Sequence, residues 1–492
     1  MKILFFHPAN YLEIGIPQGI AILSAVLTKE GHTVELFDTT FIKPASYLSE
    51  ENKVMAGPAI YKKTPYTLED LVKDDPVGDI LKEFHNKIAA FNPDLLAVST
   101  MTTNYDFALE IIKKLHCPCP VIFGGVHPTI SPDEVLAEKC IDMVCVGEGE
   151  LAIVELCKAM GKGGDIRPIK NIWTKDGKGG FYRNGQRPFV DMDTLPCPDW
   201  SLFDERHLFR PFMGKVYKGG FYISSRGCPC GCTYCVNRTL REMSSTCGKY
   251  FRYQKPEITI AHLTTFKKKY GATWFKFGDD TFLLQPNENL TKLRDGLRPL
   301  KIMFGCSVRP NTVNEEKVKL VKQMGCVAMS IGIESGNEKI RRNVLNRQIS
   351  DIQIQNAFKI INEARIRIST FNLIGLPTES RENVFETIEF NRTLQVKSAN
   401  VYVVYPFPGS HISQLYKTKY RKKNGKIIPM SDASVFKLSK MSPAEVDGLK
   451  KIFNLYLALP KELWPVVQLA EGKGAVSEIV FAALNNFAST IV

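Results

Sequence analysis

Long apolar runs are missing from this sequence. Its 492 residues contain no stretch of about twenty apolar residues without a charge, the length that a membrane-spanning helix needs, so no transmembrane segment is expected. A signal peptide is not expected either. The apolar start at Met1 is only a few residues long and is predicted to form a first strand.

A disulfide framework is also missing. The thirteen cysteines are an odd number, and they cluster at 228–235 instead of being spread along the chain. This pattern is typical of proteins that keep their thiols reduced, so a cytoplasmic location is expected.

The charge balance is basic, with a formal net charge of +13. No nucleic-acid-binding motif accompanies it, so no nucleic-acid partner is expected. Two interpretations stay open for the basic run near the C-terminus, a solvated loop or a mouth for an anionic small-molecule substrate. The run consists of Lys417, Lys419, Arg421, Lys422, Lys423 and Lys426.

The segment 221–238 carries the clearest chemical motif. Three of its four cysteines, Cys228, Cys232 and Cys235, form the pattern C-x-x-x-C-x-x-C, and Tyr222–Ser224 is predicted to enter the loop as a strand. Thiolates are the preferred ligands of iron–sulfur clusters. Three ligands on a cluster of four irons leave one iron open, and a small molecule with an amine and a carboxylate can chelate it.

This spacing resembles the radical S-adenosylmethionine (SAM) superfamily. The resemblance implies a 4Fe–4S cluster whose open iron binds SAM, and one-electron cleavage of SAM to a 5′-deoxyadenosyl radical. It also implies that Tyr234 packs near the adenosyl group, and it leaves Cys230 outside the ligand set. A zinc site, for which Cys247 would be the nearest fourth ligand, is the alternative interpretation of the thiols alone.

Residues 1–165 alternate apolar strands with helices. The predicted strands are Lys2–His7, Thr33–Asp38, Leu95–Thr100, Val121–Gly124 and Met143–Val146, and the intervening segments have helical periodicity. Repeated β-α units of this kind predict an α/β fold with a doubly wound, Rossmann-like parallel sheet. Ligands of such sheets lie beyond the carboxyl ends of the strands.

Glycine-rich pieces at these strand ends resemble the cobalamin-binding domain that precedes many radical SAM domains. The resemblance implies cobalamin as a cofactor and a pocket of Ser99, Thr100, Gly124, Gly125, His127, Thr129, Gly147 and Glu148. The pattern Asp-x-His-x-x-Gly, which supplies a histidine to cobalt in other cobalamin proteins, is absent. His127 is therefore interpreted as a loop residue. A nucleotide-binding or ligand-free α/β domain is the alternative.

The remaining chain divides into three predicted parts. Residues 166–220 form a linker with a hairpin, and 416–492 form a mostly helical C-terminal region. Between them, 221–415 contains six β-α units, which predict a partial (β/α)6 barrel of the TIM type with its chemistry at the strand ends.

The radical SAM resemblance assigns the strand ends of this barrel to SAM. Gly278, Asp279 and Asp280 would hold its ammonium, and Asp279 is preferred because it directly follows Gly278. Ser307, Arg309 and Glu334 would lie near the ribose and methionine groups, and Ile374, Gly375 and Tyr405 near the adenine. The arginine that meets the SAM carboxylate stays open among Arg309, Arg341 and Arg342.

The two resemblances together imply a cobalamin-dependent radical SAM methyltransferase that acts on an unactivated carbon or phosphorus of a small molecule. Such an enzyme needs an electron donor such as flavodoxin or ferredoxin. The first alternative uses the same cofactors for cyclisation, ring contraction or oxidation. Two lower alternatives are a sensor that binds SAM or cobalamin without turnover and an RNA-modifying enzyme. The RNA-modifying enzyme ranks low because no extra RNA-binding domain is visible in the sequence.

Overall fold

The computed structural model of the protein describes residues 1–44, 69–73, 75–397, 399–417 and 440–491, together with residues 422, 423, 426, 427, 436 and 438. Lys419 and Arg421 of the basic run lie outside this part of the chain. The described residues fall into two compact units. The first comprises those of Met1–Lys53, Thr67–Phe209 and Thr239–Arg252, and the second comprises those of Arg210–Arg238 and Tyr253–Val492. The predicted domain boundaries at 165, 220 and 415 stay predictions.

The first unit is built on a seven-stranded sheet of order β2-β1-β3-β4-β5-β6-β7. Its strands are β1 Lys2–His7, β2 Thr33–Asp38, β3 Leu95–Ser99, β4 Val121–Gly124, β5 Met143–Cys145, β6 Ile172–Lys175 and β7 Phe181–Tyr182. Strands β1 to β5 pair in parallel, which confirms the predicted doubly wound sheet. Ile3 to Phe6 are all buried, as expected for a strand that is covered on both faces.

Six helices accompany this sheet among the described residues: α1 Gln18–Lys29, α2 Ile80–Phe91, α3 Thr102–Leu115, α4 Val126–Ile130, α5 Pro132–Leu136 and α6 Glu150–Gly161. Local chemistry sets their ends. The Asp79 carboxylate accepts hydrogen bonds from the backbone N–H groups of Leu81 and Lys82 at the start of α2, and Asn92 ends that helix with a φ of 50°.

The predicted hairpin extends this sheet, since β6 and β7 pair antiparallel to each other and β6 pairs antiparallel to β5. The connector behind it packs on the same unit. Ser24 donates a hydrogen bond of 2.8 Å to Asp199, and the buried ring of His207 contacts Asp38 through Nε2 at 2.8 Å. The Nδ1 atom of His207 accepts a hydrogen bond from the Gly15 N–H, so His207 ties two strand-end loops together.

The second unit is built on a sheet of order β16-β15-β14-β13-β12-β9-β8. Its strands are β8 Phe209–Phe212, β9 Lys215–Tyr222, β12 Trp274–Phe277, β13 Met303–Val308, β14 Cys326–Glu334, β15 Arg367–Ile374 and β16 Ala399–Val403; the short strands β10 Ser225–Arg226 and β11 Arg252–Tyr253 lie outside it. The six strands from β9 to β16 pair in parallel, so the predicted partial barrel is confirmed as a half-barrel. The strand predicted at Tyr222–Ser224 was placed too late, because β9 ends at Tyr222.

The helices that accompany this sheet are α8 Pro256–Tyr270, α9 Asn287–Leu297, α10 Glu315–Met324, α11 Glu338–Asn343, α12 Asp351–Glu363 and α13 Arg381–Thr393. The short helix α7, Asn237–Met243, follows the cysteine loop and has no buried residue. The two faces of β15 differ. Thr370, Asn372 and Ile374 are fully buried, whereas the alternate residues Ser369 and Phe371 are only half-buried. One face of the half-barrel is therefore packed and the other is accessible.

The C-terminal region is mostly helical, as predicted. Its helices are α14 His411–Leu415, α15 Pro443–Ala458, α16 Trp464–Leu469 and α17 Ala475–Ile491, and Lys422–Lys423 pairs with Lys426–Ile427 as strands β17 and β18. Ser442 and Glu445 form a capping box at the start of α15. Across the described residues, no helix is long and apolar enough to span a membrane.

Candidate functional site

The cysteine loop of the second unit is held by backbone contacts from a neighbouring segment. The Thr233 N–H donates to the Leu345 carbonyl at 3.1 Å, and the Thr233 hydroxyl donates to the Val344 carbonyl at 2.7 Å. Asn346 donates to the Gly231 carbonyl at 2.9 Å. These contacts hold the loop against the segment 344–346.

The three thiols of the C-x-x-x-C-x-x-C pattern sit in a cationic and amide-rich environment. Cys228 and Cys232 are buried, and Cys235 is half-buried with the Asn237 side-chain amide 3.5 Å from its sulfur. The Arg309 guanidinium lies 3.1 Å from the Cys232 sulfur. Three thiols on one loop, with a cation beside one sulfur and an amide beside another, are a donor set that fits an iron–sulfur cluster.

A buried cluster of charge lies beside Cys232. The Arg347 Nη1 atom is 3.9 Å from the Cys232 sulfur, 3.3 Å from the Tyr234 hydroxyl and 3.6 Å from a Glu334 oxygen. The Tyr234 hydroxyl donates to Glu334 at 2.9 Å. The pKa of Glu334 is raised because the side chain is buried, and Arg347 and Tyr234 offset part of this rise. The structure thus brings the predicted residues Tyr234 and Glu334 together with the cysteine loop.

Glu334 has a left-handed backbone conformation, and its side chain points to Tyr234. Glu334 has a φ of 68°, and the pairing of β14 with β15 shifts register between Gly332 and Glu334. A side chain at Gly332 would collide with the Glu334 carboxylate. Bulges and left-handed residues outside glycine are concentrated at functional sites, where they redirect a side chain.

The three candidate arginines separate clearly. Arg341 is fully buried and holds the Ser335 and Ile349 carbonyls and Asp351, so its contacts are structural. Arg342 is exposed and pairs with Glu338. Arg309 contacts Cys232, and the sequence interpretation missed Arg347, which follows α11 in a loop that has no strand-end signal.

The two aspartates after β12 point to different surroundings. Both oxygens of the buried Asp279 accept hydrogen bonds, from the hydroxyls of Ser224 and Ser225 at 2.8 and 2.5 Å and from the Ser224 N–H at 3.3 Å. Burial raises the pKa of Asp279 to about 6. Asp280 is exposed. Burial raises the pKa of Cys235, and the Asp280 carboxylate adds to the rise, which places Asp280 beside the cysteine loop.

The other predicted SAM residues lie at neighbouring strand ends. Gly278 follows β12, where a side chain would collide with the Phe221 ring, and Ser307 lies half-buried near the end of β13. At the end of β15, Ile374 is fully buried and Gly375 donates its N–H to Glu379 at 2.7 Å. The buried Tyr405 follows β16, and its ring lies 5.0 Å from that of Phe407.

Glu379 is a second residue that the sequence interpretation missed. Its carboxylate holds the backbone N–H groups of Gly375 and Leu376 at 2.7 and 3.2 Å, and burial raises its pKa to about 8. The side chain therefore fixes the backbone at the predicted adenine border. The Gly-Leu-Pro-Thr-Glu segment carries it, but nothing in the sequence indicated that the glutamate turns back on the glycine.

The first unit has a separate candidate site at the ends of β3, β4 and β5. The Thr129 hydroxyl donates to the Gly125 carbonyl at 2.7 Å and accepts from the Gly147 N–H at 3.0 Å, so it joins two strand-end loops. The Gly124 carbonyl accepts from the Thr100 N–H at 2.9 Å. The Thr100 hydroxyl is buried and has no hydrogen-bond partner among the described residues.

The glycines of this site allow a close approach of backbones. Gly125 has a φ of 101° and a ψ of −168°, and a Cβ there would come within 2.5 Å of the Thr100 carbonyl oxygen. Gly147 has a φ of 92°. Strand ends built from glycine and one orphaned hydroxyl fit a bulky ligand that is held by shape and backbone contacts.

Two predicted pocket residues have other surroundings than expected. His127 does not lie in a loop, because it belongs to the short helix α4, where its buried ring stacks on Tyr105 at 4.2 Å and contacts Thr102 at 3.2 Å. Glu148 forms an ion pair of 2.6 Å with Arg252. Ser99 is the last residue of β3 and pairs with Gly124 in the sheet.

No three His, Cys, Asp or Glu side chains of the described residues converge in the way that ligands of one metal ion do. In an iron–sulfur cluster each thiolate binds a different iron, so the ligands of a cluster are spread around it and need not meet at one point.

The fold and these two sites are those of a radical SAM enzyme with an added cofactor domain. The family description "Radical SAM superfamily" matches residues 222–390, and "B12 binding domain" matches residues 67–157. The chain belongs to the radical SAM enzymes that carry a B12-binding domain. The cofactors of this family are the three expected from the sequence, a 4Fe–4S cluster, SAM and cobalamin.

Relatives cover most of the chain. An uncharacterized methyltransferase of Pyrococcus horikoshii, PH0819, is 30% identical over 70% of this chain and 73% of its own. An anaerobic magnesium-protoporphyrin IX monomethyl ester cyclase of Rubrivivax gelatinosus is 22% identical over 84% of this chain and 70% of its own. Among solved structures, the radical SAM methyltransferase TsrM of Kitasatospora setae has a TM-score of 0.68 at 15% identity and covers 100% of this chain and 99% of its own.

Proposed function

We propose that this protein is a cobalamin-dependent radical SAM methyltransferase that acts on an unactivated carbon or phosphorus of a small molecule. One observation carries the proposal. A chain with a cysteine loop for a cluster and a glycine-lined B12-binding domain is 30% identical to a protein named as a methyltransferase.

The cysteine loop would hold the cluster through Cys228, Cys232 and Cys235. When bound, the cluster supplies one electron to SAM, and cobalamin supplies the methyl group. The chain contributes position and charge. Thr233 and Asn346 hold the loop, and Arg309 places a positive charge 3.1 Å from the Cys232 sulfur.

The methionine end of SAM would meet opposite charges on both sides. Asp280 is the exposed carboxylate beside the cysteine loop and suits the ammonium, whereas Asp279 positions the loop through Ser224 and Ser225. Arg309 and Arg347 each have a buried Nε–H without a partner among the described residues, which suits the carboxylate. Ser307, Glu334, Tyr234, Ile374, Gly375 and Tyr405 complete the proposed SAM site.

In the first unit, Thr100, Gly125, Thr129 and Gly147 would form the cobalamin pocket, with Ser99, Gly124 and Glu148 supporting its loops. His127 would act through packing on Tyr105. A flavodoxin or ferredoxin in the cytoplasm would supply electrons.

A second candidate function is favoured by the relationship to the cyclase of Rubrivivax gelatinosus, which covers 84% of this chain. In this alternative the same cofactors drive cyclisation or oxidation without methyl transfer.

Product analysis separates the two. The reconstituted protein is incubated anaerobically with a reductant, a candidate substrate and SAM that carries an isotopic label in its methyl group. Methyl transfer is expected to give labelled product and equal amounts of S-adenosylhomocysteine and 5′-deoxyadenosine. A changed product without label, with 5′-deoxyadenosine alone, would favour the alternative. The Cys228→Ala variant is the control for cluster-independent reactions.

A further inference from the structure

The accessible face of the half-barrel carries a row of polar side chains below the cysteine loop. In the pairing of β13, β14 and β15, Ser330 lies opposite both Ser307 and Ser369, so three serines form a row on one face. One row further from the strand ends, Lys276 of β12 lies opposite Gly305 of β13. Side chains two residues apart on a strand share a face, so the lysine and the serines face the same space.

The contacts of these side chains agree with the register. The Lys276 Nζ atom lies 3.5 Å from the Ser330 hydroxyl, and the Ser330 and Ser369 hydroxyls lie 3.0 Å apart. All three side chains are half-buried. A cation and two hydroxyls therefore meet on a face that solvent or a ligand can reach.

Lys276 has no carboxylate partner among the described residues. Partial burial lowers its pKa, and the polar groups near it are hydroxyls and the thiols of Cys306 and Cys326. A half-buried cation without a counter-ion is unfavourable, and a bound anion would supply the missing charge.

The residues beside Lys276 in the row are small. Gly305 and Ala328 are its neighbours and carry no side chain beyond a Cβ. Arg309, which contacts Cys232, follows Ser307 by two residues along the chain. Two residues of strand span roughly 7 Å, so the row of serines lies about that far along the strand from Arg309.

We propose that Lys276, Ser330 and Ser369 form a subsite for an oxyanion group of the substrate, a carboxylate or a phosphate. This inference rests on the proposed function, because it names the substrate class for the same half-barrel. An ammonium with converging hydroxyls is the donor set that binds such groups, whereas a neutral substrate would leave the lysine uncompensated.

Anion binding to the full chain tests the subsite without turnover. Inorganic phosphate and acetate are titrated separately in the absence of SAM, and binding is followed by calorimetry. Saturable binding of one probe is expected, and Lys276→Met is expected to weaken it by about tenfold or more. The probe that binds distinguishes phosphate from carboxylate. Lys268→Met, which removes an exposed lysine of α8, is the matched control and should bind like the original protein.

Equal binding by the Lys276→Met variant, or no saturable binding of either probe, would overturn the subsite. Neither result depends on methyl transfer, so the proposed function can fail or hold independently. Conversely, a protein without methyl transfer that still binds phosphate through Lys276 would keep the subsite as an anion site and reject only the proposed reaction.

The melting temperature distinguishes an anion-binding role of Lys276 from a purely structural one. If Lys276 binds an anion, Lys276→Met removes an uncompensated charge and should raise the melting temperature of the ligand-free protein by about 2 °C or more. If Lys276 instead braces the sheet through Ser330, the same change lowers the melting temperature, and Ser330→Ala lowers it as well. A lowered value in both variants would contradict the proposal.

Discussion

The strand ends of the two sheets are built from different chemistry. In the first unit, the candidate site at the ends of β3, β4 and β5 is built mainly on glycines and neutral hydroxyls, with Thr129 joining Gly125 to Gly147. In the second unit they carry buried charges, with Glu334 and Arg347 beside Cys232. Both sites lie at the carboxyl ends of parallel strands.

This difference indicates two ways to hold a cofactor. The first site depends on the absence of side chains at Gly125 and Gly147, so it should be sensitive to added volume. The second depends on paired charges in a buried space, where removal of one partner leaves the other uncompensated.

The cluster thiols should give the largest effect. Replacement of Cys228, Cys232 or Cys235 by alanine removes one of three thiolates and is expected to abolish the visible absorption of the cluster and reductive SAM cleavage. Iron content and 5′-deoxyadenosine release measure this. Cys230→Ala and Cys247→Ala are the matched controls and should keep most of both. Loss of the cluster in Cys230→Ala with retention in Cys228→Ala would show that the ligand set is wrong.

The buried ion pair should follow. Arg347→Met leaves the Glu334 carboxylate without its cation and should destabilise the second unit by about 3–5 kcal/mol, a drop in melting temperature on the order of 10 °C. Arg342→Met removes an exposed arginine of α11 and should change little. The double variant Glu334→Gln/Arg347→Met should recover part of the loss, and additive losses would mean that the two groups do not interact.

Gly125 tests whether added side-chain volume disturbs the candidate cobalamin site. Gly125→Ala forces a side chain into a glycine-only backbone conformation against the Thr100 carbonyl, which costs about 1–3 kcal/mol locally. Cobalamin binding by the full chain, measured from its absorption spectrum, should weaken about tenfold or more. Gly19→Ala, in the helix α1 where a Cβ meets nothing, is the control. Unchanged affinity in Gly125→Ala would remove this strand end from the pocket.

Both folds could be predicted from the sequence because buried parallel strands are short apolar runs, and the helices between them have apolar residues at helical spacing. Lys2–His7, Thr33–Asp38 and Val121–Gly124 were predicted with their observed bounds. The boundaries that moved depend on tertiary contacts. β9 starts earlier than predicted, and α4 forms around a His-Pro pair that local signals place in a loop.

Side-chain partners were harder to predict than strand ends. The sequence indicated Glu334 and Tyr234, but Arg347 and Glu379 act from loops and helices where no periodic pattern points inward. The preference for Asp279 over Asp280 rested on its place after Gly278. Three-dimensional packing on Ser224 and Ser225 uses both oxygens of Asp279, and this contact spans more than fifty residues of sequence.

The two aspartates divide the site into a ligand contact and a support. Asp280→Asn should keep full iron and sulfide content and weaken SAM binding by roughly tenfold to a hundredfold, because it removes one charge-assisted hydrogen bond of about 1.5–3 kcal/mol. Asp279→Asn should change SAM affinity less. A large loss of SAM affinity in Asp279→Asn with none in Asp280→Asn would restore the assignment made from sequence.

Asp279 has its own signature in the pH dependence of stability. Its pKa is about 6 in the folded protein against an ordinary value of 3.8, so the folded state binds the proton more tightly. The contribution of this group therefore favours folding at low pH and declines as the pH rises from about 4 to about 6, by up to about 3 kcal/mol. In Asp279→Asn this decline should disappear from melting temperatures of the cluster-free protein, whereas Asp280→Asn should keep it. An identical pH profile in Asp279→Asn would mean that the Asp279 carboxyl does not titrate in this window.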